Sequence, residues 1–257
     1  MTLKNRLIGR LTNALAYRLG KSDAGEVGNH NETARVAWLE ETLKQIPAGA
    51  RILDAGAGER RFENLCAHLN YVAQDFGQYD GKGDQIGLQT GAWNQTNLDI
   101  VSDITSVPET DESFDAIMCV EVFEHLPNPI LAIKEFSRLL RSAGELIITA
   151  PFCSLTHLAP YHFYSGFNRY FYQTHLPAYG FEIIELQENG NFFEYLAQEI
   201  RRLPSMAELY AKDRPDQWEE AASKITLNML ERFSREGQSS AEILHFGYHV
   251  LARKKSA

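Results

Sequence analysis

Three histidines in the middle of the chain stand where a general base could act. His125 follows Phe114–Val120, an apolar stretch with the composition of a buried strand, and His157 and His162 lie in an aromatic stretch beyond the next strand. A histidine titrates close to neutral pH, so it can take a proton from a hydroxyl or an amine. Each of the three is therefore a candidate catalytic residue, and His125 fits equally well as a brace for the turn before Leu126.

A glycine-rich turn marks a second place where the chain could meet a ligand. Gly56 and Gly58 follow the short apolar strand Arg51–Ala55. Glycine has no Cβ, so such a turn bends sharply and lets a nucleotide-like ligand approach the main chain. Asp75 and Asp103 stand at the ends of the next two strands. A carboxylate there can accept hydrogen bonds from a ligand, and it can equally cap the element that follows.

Strands and helices alternate through most of the chain. Short apolar stretches bounded by turn residues predict strands, and apolar residues at helical spacing predict helices. The predicted strands are 51–55, 71–74, 98–102, 114–120, 145–150, 181–186 and 246–253. The predicted helices are 31–46, 60–69 and 129–141, the last closed by Gly144, with a long helical segment over 191–240. This alternation predicts an α/β fold with a doubly wound, mostly parallel sheet.

Composition narrows the class of protein. The chain has 257 residues, 44% hydrophobic and 23% charged, which fits one globular domain. A formal charge of −9 argues against nucleic acid as the main substrate. The cysteines Cys66, Cys119 and Cys153 show no metal-binding spacing, and no stretch is apolar enough to span a membrane, so we expect a cytoplasmic protein.

Residues 1–21 fit two interpretations. They carry five basic and no acidic side chains, and leucines recur every four residues. Such a helix can lie on a membrane surface as a peripheral contact. It can also pack on the domain or on a second subunit of a homodimer, which is the more common use of an apolar stripe.

Residues 30–187, together with the closing strand, resemble the class I S-adenosylmethionine-dependent methyltransferases, in particular the small-molecule, methyltransferase type 11-like group. The matching segments, in order, are ILDAGAG at 52–58, Asp75, SDI at 102–104, FDAIMCVEVFEHLPNP at 114–129 and LLRSAGELIITAP at 139–151. The resemblance implies a Rossmann-like sheet of seven strands, with the last strand antiparallel beside the fifth. It also implies an N-terminal extension over 1–30 and one domain over 31–257 that carries a helical insertion at about 191–240.

The resemblance further implies S-adenosylmethionine as the cofactor and assigns residues to it. Gly56 and Gly58, supported by Asp54, would meet its methionine part. Asp75, followed by Phe76, would accept from the ribose hydroxyls. Four residues at later strand ends would contact the adenine and the sulfonium: Asp103 and Ile104, then Cys119 and Glu121.

Acceptor-binding residues are expected after strand five, where aromatic walls and a few polar groups suit a small molecule. The candidates are Tyr161, Tyr164 and Arg169, the last as a partner for an acceptor carboxylate or phosphate. The metal-dependent branch of the family needs an acidic pair after strand five, where this chain has Ala150-Pro151-Phe152. We therefore expect no metal site of that type.

These patterns favour methyl transfer to oxygen or nitrogen of a small polar acceptor. A sugar or nucleotide-sugar hydroxyl or amine is the first expectation, and a carboxylate on a metabolite or peptide is the second. Arg60, where the family has a small residue, keeps open a cofactor-binding protein that has lost catalysis. A nicotinamide-dependent oxidoreductase is disfavoured, because Arg61 is too large for the close helix–strand packing of a dinucleotide motif.

Overall fold

The computed structural model describes residues 25–256, so the predicted helix over residues 1–21 lies outside the described part. These residues form two compact units. One contains residues 34–189 and 246–256, and the other contains residues 25–33 and 190–245. Within residues 25–256, no helix has the length and apolar character needed to cross a membrane.

The first unit is built on a seven-stranded sheet. Its strands are β1 (Arg51–Ala55), β2 (Asn70–Asp75), β3 (Ile100–Val101), β4 (Phe114–Val120), β5 (Leu140–Pro151), β6 (Phe181–Asn189) and β7 (Gly247–Lys254). The spatial order is β3-β2-β1-β4-β5-β7-β6. Neighbours from β3 through β5 run parallel, and β7 runs antiparallel to both β5 and β6. This confirms the predicted Rossmann-like sheet with its last strand inserted beside the fifth.

Both faces of the central strands are buried, which explains their almost continuous apolar sequences. In β4, Ile117 and Cys119 face one core cluster, and Met118 faces the other. All three side chains are fully buried. Burying a large apolar side chain stabilises the fold by about 1.5–3 kcal/mol, so the strands that carry the site rest on a rigid core.

Three helices pack in this unit: α1 (Asn31–Leu43, which begins in the other unit), α2 (Pro129–Leu139) and α3 (Arg169–Ala178). Helix α2 begins as predicted, because Asn128 accepts a hydrogen bond from the Leu131 N–H and Pro129 needs no partner for its nitrogen. Helix α3 was not predicted. It is ten residues long, contains Pro177 and is capped by Asn168.

Two local predictions are wrong. The predicted helix over 60–69 is only a 3-10 turn, Glu63–Cys66, because Arg60 takes a left-handed φ of 60° and interrupts the helical path. Gly144 does not close α2, since β5 begins at Leu140, directly after the helix. The predicted third strand, 98–102, forms a ladder only over Ile100–Val101.

The second unit is helical. Its elements are α4 (Phe192–Met206), a π-helical turn (Ala207–Ala211), α5 (Gln217–Glu236) and a 3-10 turn (Gln238–Glu242). Asn191 caps α4 and also donates to the Ser234 carbonyl of α5. A capping box of Asp216 and Glu219 opens α5. Val27, Ala197, Leu227 and Leu230 form its core.

Candidate active site

The glycine turn after β1 is fixed to the end of β2 by three backbone donors. The N–H groups of Gly56 and Ala57 both donate to the Gln74 carbonyl, at 2.9 and 2.8 Å, and the Gly58 N–H donates to Asp75 Oδ2 at 3.0 Å. Gly56 has a φ of 82°, and a Cβ there would lie 2.5 Å from Val122 Cγ2. Only glycine fits this position, so the glycine fixes the shape of the turn at the carboxyl end of β1.

Asp75 sits at the centre of this turn. Its side chain is buried, and Oδ1 accepts from the Gly77 N–H at 3.0 Å and from Gln95 Nε2 at 2.8 Å. With the Gly58 N–H on Oδ2, three donors occupy a group that has about four acceptor positions. The predicted ribose contact therefore has one acceptor position left, and a second becomes available if Gln95 moves away.

The long connection after β2 folds over the glycine turn. A Cβ on Gly58 would lie 2.6 Å from Trp93 Cζ2, and the Asn94 N–H donates to Glu59 Oε1. Tyr79 is buried within the loop and packs edge-on against Trp93, with ring centroids 5.6 Å apart. The sequence predicts neither a strand nor a helix between residues 75 and 97, and no local pattern indicates that the aromatic residues of this loop pack on the turn.

The same loop also holds the histidine-bearing segment after β5. The Leu88 N–H donates to the Thr156 carbonyl at 3.0 Å, and the Leu158 N–H donates back to the Leu88 carbonyl at 2.9 Å. The Asp84 N–H donates to the Ala159 carbonyl at 3.1 Å. One loop thus contacts both the glycine turn and the backbone around His157.

Asp54 lies in β1, two residues before Gly56. It is buried, and Oδ2 accepts a 2.6 Å hydrogen bond from the Tyr71 hydroxyl of β2. Burial raises the pKa of Asp54 to about 7, although the Tyr71 hydrogen bond acts in the opposite direction. The side chain thus joins β1 to β2 just before the turn, and the support of the turn that the resemblance assigns to it stays a prediction.

Protein groups hold Arg60, the unusual residue of the turn. Its guanidinium donates to Glu63 Oε1 at 2.7 Å and to the Asn97 carbonyl, and it lies 5.4 Å from the Tyr71 ring centroid. The side chain is thus held by protein groups on both sides of the turn. Arg60 joins the turn to the end of the long loop.

Asp103 and Ile104 follow β3. Asp103 is exposed, and its Oδ1 accepts from the Thr105 N–H at 2.8 Å and from the Thr105 hydroxyl at 2.7 Å, so it caps the turn after the strand. Ile104 is buried in the main core. The adenine contacts assigned to the pair stay predictions, and the capping role is what the structure adds.

Cys119, near the end of β4, and Glu121, directly after it, differ in their surroundings. The Cys119 thiol is fully buried in the core, and this burial raises its pKa well above the ordinary value. Only its backbone can line a ligand site. Glu121 has a left-handed φ of 55°, its Oε1 accepts from the Thr149 hydroxyl at 2.9 Å, and its Oε2 lies 3.2 Å from Arg35 Nη1. Arg35 and Thr149 come from distant elements and carried no sequence signal.

The three predicted histidines come together. The ring centroids of His125 and His157 are 4.7 Å apart, those of His157 and His162 are 4.9 Å apart, and those of His125 and His162 are 6.1 Å apart. Glu124 joins them, with Oε1 3.7 Å from His125 Nε2 and 3.9 Å from His157 Nε2. The sequence placed Glu124 beside His125 but gave it no role.

Burial alters the protonation of this cluster. It lowers the pKa of His125 to about 4, with a further decrease from the neighbouring His157. It also raises the pKa of Glu124 well above the ordinary value, helped by the nearby Glu121 charge. His125 is therefore neutral at pH 7, unlike the expectation that its pKa suits proton transfer at neutral pH.

The predicted acceptor residues separate into two groups. Tyr161 lies at the cluster, because its carbonyl accepts from His125 Nδ1 at 2.6 Å and its ring packs edge-on against Phe76 at 4.9 Å. Tyr164 donates to the Pro127 carbonyl at 3.2 Å, and Arg169 pairs with Glu188 of β6 at 3.5 Å. The structure thus brings Phe76 and Tyr161 to the histidines and gives Tyr164 and Arg169 other partners.

A family model described as a methyltransferase domain matches residues 29–203. The chain belongs to this family. The match confirms the resemblance seen in the sequence, and with it the enzyme class and S-adenosylmethionine as the cofactor of the domain. The residues present fit that cofactor, since the Asp75 carboxylate, beside the turn, has three donors for about four acceptor positions and can accept from a hydroxyl.

Among curated proteins, the methyltransferase is similar to a ubiquinone biosynthesis O-methyltransferase from Xanthomonas axonopodis pv. citri (strain 306). The two are 30% identical over 140 residues, which make up 53% of this chain and 57% of the relative. The match therefore spans little more than half the length of that relative.

Solved structures share the fold. A SAM-dependent methyltransferase from Archaeoglobus fulgidus is 18% identical with a TM-score of 0.51, over 86% of this chain and 94% of that chain. Phosphoethanolamine N-methyltransferase 2 from Haemonchus contortus, in complex with S-adenosyl-L-methionine, is 15% identical with a TM-score of 0.51, over 87% of this chain and 53% of that chain. At these identities the likeness concerns the fold alone.

Proposed function

We propose that this protein transfers the methyl group of S-adenosylmethionine to a hydroxyl oxygen of a small-molecule acceptor. The observation that carries the proposal is the cluster of Glu124, His125, His157 and His162, which follows β4 and β5. These strands and the glycine turn end at the same edge of the sheet, next to the point where the strand order reverses. Ligands of open α/β sheets bind there. Oxygen is favoured over nitrogen because the curated relative is named an O-methyltransferase.

The rings around the cluster favour a ring-shaped acceptor. Phe76, Tyr161 and the histidine rings provide flat walls, and their nitrogens and carbonyls provide a few polar contacts. A sugar or nucleotide-sugar hydroxyl stays our prediction from the sequence. A hydroxyl on an intermediate of ubiquinone biosynthesis is the alternative that the relative's name supports.

The chain's contribution to the reaction is to orient the acceptor, exclude water and remove one proton. Bound S-adenosylmethionine supplies a methyl group on a positively charged sulfur. As the bond from that carbon to the acceptor oxygen forms and its bond to sulfur breaks, the hydroxyl proton needs a base. With a pKa of about 4, His125 is a poor proton acceptor at pH 7.

His162 is better placed for that step. The Ser154 hydroxyl donates to the Ser165 carbonyl at 3.1 Å, so its oxygen is free to accept from His162 Nε2, also at 3.1 Å. This arrangement puts the proton of neutral His162 on Nε2 and the lone pair on Nδ1. We therefore assign proton removal to His162 Nδ1.

The proposal extends to the organisation of the chain. Residues 31–257 are taken as one methyltransferase domain, in which the helical unit at 190–245 is an insertion between β6 and β7.

The test is a parallel calorimetric titration of the purified full chain with S-adenosylmethionine, S-adenosylhomocysteine and NAD. Binding of the first two and none of NAD is expected. A methyl-labelled cofactor is then offered with panels of sugar hydroxyls, ring hydroxyls, amines and carboxylates, and mass spectrometry locates the label. Label on nitrogen or on a carboxylate would contradict the proposal. Cofactor binding without transfer to any acceptor would favour the binding-protein alternative.

A further inference from the structure

The cluster formed by Glu124, His125 and His157 has the arrangement of a metal-binding site. One carboxylate oxygen and two imidazole nitrogens lie within 4.8 Å of one another. Glu124 Oε1 is 3.7 Å from His125 Nε2 and 3.9 Å from His157 Nε2. Two ligands of a tetrahedral zinc ion lie about 3.4 Å apart. The two carboxylate–imidazole distances exceed this by a few tenths of an ångström, so modest side-chain shifts would bring the three groups around one ion.

Both histidines are oriented with a nitrogen lone pair toward the carboxylate. His125 Nδ1 is 2.6 Å from the Tyr161 carbonyl, and His157 Nδ1 is 2.8 Å from the Leu155 carbonyl. A carbonyl only accepts, so each Nδ1 carries the proton and each Nε2 carries the lone pair. A backbone carbonyl behind the far nitrogen is the usual partner of a metal-ligating histidine.

One oxygen of the Glu124 carboxyl group lacks a donor. Glu124 is 1% exposed, and its Oε2 is buried with no hydrogen-bond partner among the described residues. The neighbouring Glu121 is paired with Arg35 at 3.2 Å. In the described part of the chain, the basic groups within 4 Å of Glu124 are the two imidazoles. An ionised carboxylate buried beside two lone pairs would be unfavourable by itself, and a cation between the three groups would compensate all of them.

We propose that Glu124, His125 and His157 bind one divalent transition-metal ion, of the zinc class, through the carboxylate and the two Nε2 atoms. Two nitrogen ligands and one oxygen ligand suit Zn²⁺ or Co²⁺, whereas Mg²⁺ and Ca²⁺ prefer oxygen ligands alone. The site uses the 3-10 turn after β4 and the segment after β5, not the acidic pair that the sequence lacks after strand five.

This inference rests on the proposed function, because three protein ligands leave a coordination position open for the acceptor oxygen. A bound cation would hold that oxygen and lower the pKa of its hydroxyl as a Lewis acid. The released proton would pass to His162, which lies beside His157 and is not one of the three ligands.

The test uses the tag-free full chain, treated with a chelator and then titrated with ZnCl₂ by calorimetry and with CoCl₂ by visible absorption. We expect one zinc ion to bind per chain. We also expect the bound Co²⁺ to show the visible absorption of an ion with nitrogen ligands and a low coordination number. His157→Gln and Glu124→Gln should each weaken zinc binding by about 100-fold, the upper end of what changes around such sites cost. His157 is the safer variant for folding because a quarter of its side chain is exposed.

The matched control is His30→Gln, which alters an exposed histidine 3.5 Å from Glu194 in the other unit and should leave zinc binding unchanged. Equal zinc affinity in all three variants and the wild type, or no zinc binding by the wild type, would overturn the proposal. S-adenosylhomocysteine affinity is measured on the same metal-free samples. If it stays intact while zinc binding fails, the metal site is refuted and the methyltransferase assignment is not.

Discussion

Replacing Asp54 with asparagine should change the pH dependence of stability. Asp54 is 2% exposed, and burial raises its pKa to about 7, against about 3.9 in an unfolded chain. The folded protein thus holds a proton that the unfolded chain has already lost. Stability contributed by protonated Asp54 is complete below about pH 4 and is lost as the pH rises to 7. The two pKa values correspond to a loss of about 4 kcal/mol, an order-of-magnitude figure.

An asparagine side chain does not titrate, so the Asp54→Asn variant lacks this loss. Its amide oxygen can still accept from Tyr71, but its NH₂ group buries two N–H donors where the protonated carboxyl has one O–H, and an unsatisfied donor costs about 1–3 kcal/mol. We expect the variant to be less stable than the wild type at pH 4 and at least as stable at pH 8. The free energy of unfolding is measured by urea denaturation across this range.

The quantity to compare is the difference in the free energy of unfolding between the variant and the wild type. The contributions of all other titrating groups cancel in this difference. Asp80→Asn is the matched control. Asp80 is exposed and accepts from the Lys82 and Gly83 N–H groups, which lower its pKa, so its small effect has the opposite sign. A difference between Asp54→Asn and wild type that stays constant from pH 4 to 8 would refute the buried, protonated Asp54.

Three further substitutions test the cofactor side and the base. Asp75→Asn should weaken S-adenosylhomocysteine binding by about 10- to 100-fold in calorimetry, because it removes a charge-assisted acceptor; unchanged affinity with a native melting temperature would exclude the ribose contact. Gln95→Ala should tighten S-adenosylhomocysteine binding by up to about fivefold, because it removes a hydrogen bond of about 1 kcal/mol that occupies an acceptor position of Asp75. Weaker binding by this variant would show that Gln95 assists the ligand. His162→Asn should lower kcat by about 100-fold and leave cofactor affinity unchanged, and a wild-type rate would remove His162 as the base.

The strands that carry the site could be predicted because burial on both faces leaves little choice of residue. β1 and β4 have the predicted bounds, Arg51–Ala55 and Phe114–Val120, and both are mostly apolar. The bounds of β3 could not be predicted as accurately. Its ladder of two residues depends on pairing with β2, and the residues beside it have the composition of a strand without forming one. Helix α3 was missed because Arg169 and the aromatic stretch before it were interpreted as an acceptor pocket, and a proline inside a helix, here Pro177, is untypical of one.

The candidate site was predictable where topology alone decides proximity. The carboxyl ends of parallel neighbours meet at one edge, and so Gly56, Asp75 and His125 were expected together. The side-chain hydrogen bonds that alter the ionisation or the acceptor positions of the site's carboxylates could not be predicted, because each joins segments far apart in the sequence. Tyr71 on Asp54 and Gln95 on Asp75 are examples, and neither has a local pattern that announces it.

The long loop, Phe76–Asn97, explains how one sheet edge can serve two ligands. At one end it places Trp93 on Gly58 and Gln95 on Asp75, and near its middle Leu88 pairs with the backbone on both sides of His157. The backbone around His157 is hydrogen-bonded to this loop, so the position of the histidine segment depends on it. Acceptor choice is therefore expected to follow changes in the loop, and cofactor choice to follow changes in the turn.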